Sequence, residues 1–401
     1  MEASKTMDIS KNINLQVAEK ESSSGEQTNH KKPAYDLICF SHLRWDFVYQ
    51  RPQHLISRFA KNYRVYFVEE PFFDDGEEYM NVSPRKENLY VVQPHMKHGL
   101  SEEKKLDQQK SMLNQFFSDN KIINYKFWYY TPMALPFTDH FNPDLIIFDC
   151  MDELSAFKFA PQSLKDLESR LLEKSDIVFT GGHTLYQAKK HRHSNIHPFP
   201  SSIDKVHFGK ARIIDTDPED QKNIPHPRLG FYGVIDERFD IELIKSMAIQ
   251  RPDWHFVMIG PVVKIDPETL PKLNNVHFLG SKSYNELPAY VSGWDIALIP
   301  FMINESTKFI SPTKTPEYLA AGKPVVSTPI ADVVDPYGNN GLVHIASTAE
   351  EFIKAAEIEL NKSKDDTWIK KVDNFLCENS WDDTWSRMTD LINETLSKKN
   401  I

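Results

Sequence analysis

Ser311-Pro312-Thr313-Lys314-Thr315-Pro316-Glu317-Tyr318-Leu319-Ala320-Ala321-Gly322-Lys323-Pro324-Val325-Val326-Ser327-Thr328 reads as a loop, a short helix and a buried strand in one uninterrupted span. Pro316 suits the first turn of a helix, and a Ser or Thr just before it can cap; Gly322 followed by Pro324 stops the helix and feeds the strand. The helix, near Pro316 to Ala321, is then only about two turns long. Its N-terminus offers free backbone N–H groups and a partial positive charge, with Lys314 at that end, so a diphosphate would be well held there. Glu317, roughly one turn in, is placed to accept hydrogen bonds from a ribose diol. An ordinary helix start with a solvated lysine accounts for the same residue types equally well.

Outward from this span the chain alternates short β-branched or aromatic runs with amphipathic segments, the mark of parallel sheets covered by helices, and the class is α/β. Upstream, strands are expected at Leu229 to Tyr232, His255 to Ile259, Val276 to Leu279 and Ile296 to Ile299, with helices at Ile241 to Ile249 and Tyr284 to Val291. In the first half the expected strands are Tyr35 to Phe40, Arg64 to Val68, Phe127 to Tyr130, Leu145 to Phe148 and Ile177 to Thr180. Helices fit between them at Pro52 to Ala60, Glu103 to Phe117, Gln162 to Glu173 and Leu185 to His191. The two halves look like similar βαβ domains facing each other, and ligands in such sheets bind at the carboxyl ends of the strands.

The opening span resembles the nucleotide-binding motif of GT-B fold glycosyltransferases, in particular the bacterial family-4-like enzymes of the group 1 type. The resemblance implies two Rossmann-like domains, the first for the acceptor and the second for a nucleotide diphosphate sugar. It assigns the ribose to Glu317 and the diphosphate to the loop Ser311, Pro312, Thr313 and Lys314. It continues through Leu229-Gly230-Phe231-Tyr232-Gly233-Val234-Ile235-Asp236-Glu237-Arg238 and through Arg251 to Pro261, where Gly233 and Gly260 end the first two strands of the donor domain. Gly233 would let the backbone approach a phosphate, and Arg238 is placed as counter-charge for the leaving group; a surface ion pair with Glu242 is its alternative. One departure stands out. Retaining members carry two glutamates separated by seven residues, and Phe309 occupies the position eight before Glu317, so retention follows from the overall match alone.

In the first half, Ser41-His42-Leu43-Arg44-Trp45-Asp46-Phe47-Val48-Tyr49-Gln50-Arg51-Pro52-Gln53-His54 joins the first strand to the first helix, where a loop faces the cleft. Its cationic and aromatic groups suit sugar stacking or an anionic acceptor, which makes Arg44, Trp45, Arg51, Gln53 and His54 the acceptor-binding candidates, with Trp45 exposed. A packed loop anchor is the other reading of Trp45. Asp149-Cys150-Met151-Asp152-Glu153 puts carboxylates at the cleft end of another strand, and Asp152 is the candidate base; helix capping is its alternative. Gly181-Gly182-His183 reads as a turn.

Composition narrows the rest. The chain has 401 residues, 40% hydrophobic and 26% charged, enough for two or three domains with sizeable cores. A net charge of −10 without a basic stripe argues against a nucleic-acid partner. Cys39, Cys150 and Cys377 show no metal or disulfide spacing, as expected in a reducing cytoplasm, and no histidine cluster has ligand spacing, so no metal is expected. No GxGxxG, GxxxxGK[ST] or GxSxG run is present. No stretch is long and apolar enough to span a membrane.

The expected organisation is a disordered tail at 1–32, an acceptor domain at 33–205, a linker at 206–227, a donor domain at 228–375, and a C-terminal helix at 376–401 carrying Trp381, Trp385, Met388, Leu391 and Ile392. That helix either crosses back to the first domain or covers its own. The expected activity is sugar transfer, catalysed by Asp152, Arg238 and Lys314, from a nucleotide-sugar donor, UDP-sugar favoured, to a glycan or lipid-linked acceptor in cell-envelope polysaccharide synthesis. It needs no cofactor or metal, and it is placed in the cytoplasm, compatible with peripheral association at the inner membrane face. A sugar-nucleotide epimerase, a phosphorylase, or a non-catalytic assembly subunit on the same fold are the alternatives.

Overall fold

The computed structural model describes Pro33 and residues 35–158, 160–362 and 366–399; the tail expected at 1–32 lies outside the described residues. The first lobe is built on β1 (Asp36–Phe40), β2 (Arg64–Val68), β3 (Phe72–Asp74), β4 (Tyr79–Lys86), β5 (Leu89–Lys97), β6 (Tyr125–Tyr129), β7 (Leu145–Cys150), β8 (Ile177–Thr180) and β9 (Ile196–Pro198). Its order is β3-β5-β2-β1-β6-β7-β8-β9, with β4 antiparallel on β5 and the other pairs parallel. Around it lie α1 (Arg51–Phe59), α2 (Glu102–Asp119), α3 (Leu135–Thr138), α4 (Leu164–Lys174) and α5 (His183–Lys189).

After α6 (Lys205–Gly209) the second lobe carries β10 (Arg228–Tyr232), β11 (His255–Ile259), β12 (Val276–Phe278), β13 (Ile296–Ile299), β14 (Val325–Ser327) and β15 (His344–Ile345), all parallel in the order β12-β11-β10-β13-β14-β15. Its helices are α7 (Ile241–Gln250), α8 (Leu287–Ser292), α9 (Lys314–Ala320), α10 (Ala331–Val333), α11 (Ala349–Leu360) and α12 (Asp366–Leu376); α13 (Trp381–Lys399) ends the chain.

Central strands such as β1, β10 and β13 are buried on both faces, which is why they read as unbroken apolar runs. In each sheet the first strand is flanked on both sides by later ones: β1 lies between β2 and β6, and β10 between β11 and β13. The chain therefore departs in opposite directions at these two places, opening a crevice at the carboxyl end of each sheet.

Two features differ from the sequence expectation, and a third, the course of the C-terminal helix, decides between the two that the sequence left open. Strands β3 to β5 were not expected. They form an edge whose Tyr79–Lys86 strand has no buried residue and is half exposed, so it shows no apolar face, and Pro71, Pro84 and Pro94 interrupt the pattern. The span 206–227, expected as a linker, packs on the second lobe: Phe208, Ala211 and Ile224 join its core, and the buried Gln221 donates from Nε2 to the Tyr290 carbonyl at 3.0 Å. Finally, α13 covers the first lobe. Trp381, Met388 and Ile392 share a core with Leu37, Leu55 and Trp128, while Arg58 of α1 forks onto Asp382 at 3.0 Å.

Candidate functional site

Between the lobes lies a cleft of about 170 Å³, lined from the first by Tyr49, Gln50, Arg51, Asp152 and Gly181 and from the second by Tyr232, Gly233, Arg238, Tyr284, Lys314 and Glu317. The loop Ser311–Thr313 also lines it. Helix α9 opens at Lys314, two residues before Pro316, and Thr313 at its N-cap makes no side-chain capping bond, so the expected Ser/Thr cap is corrected. Its last turn closes as expected on Gly322, at φ +74°.

Lys314 and Glu317 lie on one side of this helix and face a poorly solvated space. Burial holds the Lys314 ammonium below its ordinary pKa, Glu317 pulls it back up and Arg238 pushes it further down. Its Nζ sits 5.8 Å from the Phe231 ring centroid and 6.0 Å from that of Phe301, and among the described residues it has no hydrogen bond or ion pair. The Glu317 carboxyl is raised to about 7 by burial, against the opposing effects of a hydrogen bond from Tyr232 and the charge of Lys314. The Tyr232 hydroxyl donates to Oε2, and Oε1 carries no hydrogen bond. Tyr318, one residue on, points the other way and accepts the Tyr232 backbone N–H at 3.0 Å, so α9 is pinned to the end of β10.

Gly233 follows β10 with φ +143°, a conformation reserved for glycine, and a Cβ there would come within 2.3 Å of Lys314 Cε. The glycine thus makes room for the lysine side chain. Gly260, at the end of β11, packs as closely on the Gly233 carbonyl. Arg238 pairs with Asp236, through Nε at 3.0 Å and Nη2 at 2.7 Å, and not with Glu242; this corrects the surface-pair alternative. Among the described residues its Nη1 carries no hydrogen bond, and the guanidinium lies 5.4 Å from the Phe157 ring centroid of the first lobe. Across the cleft, burial raises the Asp152 carboxyl above the usual carboxylate range, with Arg238 and Arg51 opposing.

The acceptor candidates of the first lobe turn inward, and the expected exposed Trp45 is corrected. Trp45 is 8% exposed; its ring meets Phe67 edge-on at 4.9 Å and its backbone N–H donates to Glu69 at 2.7 Å. Arg44 pairs with the same Glu69 and stacks over Phe72. Arg51 forks onto the fully buried Asp149 at 2.8 and 3.1 Å and donates to the Phe199 carbonyl, so only its edge reaches the cleft. Gln53 donates to the Trp45 and Val48 carbonyls and accepts from the Gln50 N–H, while His54 stacks on Trp381 at 4.6 Å. The physical reason is satisfaction: a loop with this many polar groups, placed under α1, can be buried only if those groups bond to one another. What the loop leaves at the cleft is Val48, Tyr49 and Gln50.

Sequence reasoning missed the contact that ties the lobes together. Asp332 of α10 accepts the backbone N–H groups of His183 and Thr184 at 2.9 Å each, and the Thr184 hydroxyl, thereby capping α5 of the opposite lobe. Gly182 allows this approach, since a Cβ there would lie 2.2 Å from the Asp332 carboxylate. Its signal was the side-chain-free residue just before a helix lacking its own Ser, Thr, Asp or Asn cap. Nearby, the Ser201 hydroxyl donates to the Ser311 carbonyl at 3.1 Å. Among the described residues no three His, Cys, Asp or Glu side chains are grouped to hold a metal ion, and no helix is long and apolar enough to cross a membrane.

Residues 227–361 match the family model of glycosyl transferases group 1. The putative teichuronic acid biosynthesis glycosyltransferase TuaH of Bacillus subtilis (strain 168) is 25% identical over 283 residues, covering 63% of this chain and 68% of the relative. Among solved structures, sucrose-phosphate synthase from Thermosynechococcus elongatus superposes with a TM-score of 0.68 at 14% identity, covering 90% of this chain and 99% of that one. Anabaena Alr3699/HepE in complex with UDP and glucose gives 0.64 at 12%, covering 89% and 99%. The structural likenesses show the fold, which is GT-B; the family match and the curated relative mark the chain as a glycosyltransferase whose residues 227–361 form a domain of the group 1 type.

Proposed function

We propose that the chain moves a sugar from a nucleotide diphosphate sugar, with a UDP-sugar favoured, to a glycan or lipid-linked acceptor in the assembly of an envelope polysaccharide. The observation that carries this reading is the half-buried Lys314 ammonium, which lies beside Glu317 and Arg238 and among the described residues makes no ion pair or hydrogen bond. A half-buried cation without a partner is costly, and a diphosphate supplies what is lacking. The names of the curated relative and of the UDP-bound neighbours agree with that donor and that pathway.

In this reading Lys314 and the free Nη1 of Arg238 hold the diphosphate and offset the charge it gains as the bond to the sugar's C1 breaks. These cations take the place of a metal. Glu317, through Oε1, accepts from the ribose diol. Asp152, across the cleft, takes the acceptor's proton; burial raises its carboxyl above its ordinary value and so makes it the more basic. The proton passes otherwise to the leaving phosphate. The configuration at C1 is retained, with backbone groups near Phe309 in place of the first glutamate of related enzymes. The protein works in the cytoplasm, associating peripherally with the inner face of the membrane.

A thermal-shift screen of nucleoside diphosphates and their sugars tests this. A ligand at 100 times its Kd adds about 2.7 kcal/mol to stability. Lys314→Ala, which removes a charged contact of about 1.5–3 kcal/mol, should weaken UDP binding about tenfold to a hundredfold while the protein stays folded. Unchanged UDP affinity in that variant would reject the assignment, and product analysis with an acceptor panel separates transfer from epimerisation or phosphorolysis.

A further inference from the structure

The cleft contains a hydroxyl that folding leaves without a partner. Tyr284, between β12 and α8, lines the cleft with Glu317, and its hydroxyl is closed off from solvent yet makes no hydrogen bond. The ring itself is covered on two sides. His207 of α6 lies parallel to it, centroids 4.1 Å apart at 9°, and is tied by its Nε2 to the Tyr284 carbonyl at 2.9 Å. Tyr49 lies against it at 4.5 Å and 30°, and the His207 and Tyr49 rings do not meet, which puts them on opposite faces.

The two covering rings differ in one respect. His207 packs within the same lobe, on the core that holds Phe208, whereas Tyr49 comes from the first lobe, is 38% exposed, and meets the edge of the His54 ring besides. At stacking distance, nothing fits between Tyr49 and Tyr284. The cleft volume of about 170 Å³ is also below the roughly 300–1,000 Å³ of pockets that hold ligands of nucleotide-sugar size. Admitting a donor therefore requires the lobes to part, and parting withdraws Tyr49 with its lobe. What it uncovers is a flat aromatic face close enough to Glu317 for the two to interact electrostatically, with an unsatisfied hydroxyl at the ring's edge. A flat π-system with hydrogen-bonding groups on its rim, attached to a ribose, complements that surface.

We propose that Tyr284 is the platform on which the donor's nucleobase stacks, and that Tyr49 occupies the base's place while the cleft is empty. This rests on the nucleotide-sugar reading above and adds to it a residue that grips the base and a residue that competes with it. The Tyr284 hydroxyl then gains, from the base's rim, the partner that the empty cleft denies it.

Calorimetric titration of the full chain with UDP and, separately, with inorganic pyrophosphate tests the idea on the wild type, Tyr284→Leu, Tyr49→Ala and Lys314→Ala. Loss of base stacking should weaken UDP about tenfold in Tyr284→Leu and leave pyrophosphate unchanged. Tyr49→Ala should tighten UDP severalfold, because no ring has to be displaced, again with pyrophosphate unchanged. If Tyr284→Leu binds UDP like the wild type while Lys314→Ala loses both ligands, the platform is overturned and the donor reading stands. Weaker UDP binding by Tyr49→Ala overturns the competitor role, and it remains decisive should Tyr284→Leu not fold. A wild type that binds neither ligand overturns both readings together.

Discussion

Glu317→Gln should make the protein more stable at pH 8 and a poorer binder of nucleotide. Burial raises the Glu317 carboxyl from the ordinary 4.5 of a glutamate to about 7, outweighing the hydrogen bond from Tyr232 and the charge of Lys314, which both act to lower it. At about 1.4 kcal/mol per pH unit, keeping it ionised above pH 7 costs the folded state about 3 kcal/mol. The folded protein holds this proton more tightly than the unfolded chain does. The group's favourable contribution is therefore complete below pH 4.5, declines as pH rises, and is gone above about 7. Glutamine has the same shape and never ionises. The stability difference between variant and wild type should thus be near zero at pH 4.5 and grow to about 3 kcal/mol in favour of the variant at pH 8. Urea unfolding at a series of pH values measures it. In the wild type UDP affinity should rise with pH through about 7, as the carboxylate becomes a full acceptor for the ribose, and in the variant that rise should vanish. Parallel stability profiles for the two proteins, or a variant less stable than the wild type at pH 8, would refute the reasoning.

Two further outcomes follow from close contacts. Gly233→Ala puts a Cβ at φ +143° and within 2.3 Å of Lys314 Cε, so the urea midpoint should drop by the equivalent of about 1–3 kcal/mol and UDP should bind at least tenfold more weakly as the lysine is displaced; unchanged UDP affinity would show that Lys314 does not need this space. Asp332→Ala removes the cap that the second lobe places on α5, worth about 0.5–2 kcal/mol, and should shift the ligand-free protein toward an open arrangement. Small-angle scattering should then give a larger radius of gyration that UDP brings back down, and an identical radius for variant and wild type would contradict the latch.

The doubly wound architecture was legible because its evidence is local. The apolar runs of β1, β10, β11 and β13, and the Pro316-to-Pro324 punctuation around α9, each declare themselves within a few residues. Strands β3 to β5 were not legible: β4 is a half-exposed edge with no reason to alternate cleanly, and prolines break both it and β5. At the cleft, Lys314 and Glu317 could be placed together because loop and helix are continuous in the primary sequence, and Gly233 because it ends an apolar run. The inward turn of Arg44, Trp45, Arg51 and His54 was not legible because their partners, Glu69, Asp149 and Trp381, are distant in the chain, and a polar loop satisfied from afar looks the same in sequence as one awaiting substrate. The Asp332 cap was invisible for the same reason, with its donors nearly 150 positions upstream. Tyr284 passed as a helix residue; its role at the cleft depends on two rings, Tyr49 and His207, that only the folded chain brings to it.

The account turns on whether a nucleoside diphosphate enters the space beside α9. A crystal structure of the protein with UDP measures this directly. The account predicts diphosphate oxygens within hydrogen-bonding distance of Lys314 Nζ and Arg238 Nη1, and the ribose hydroxyls on Glu317. UDP bound elsewhere, or bound in the cleft with Lys314 turned away from it, would contradict the account.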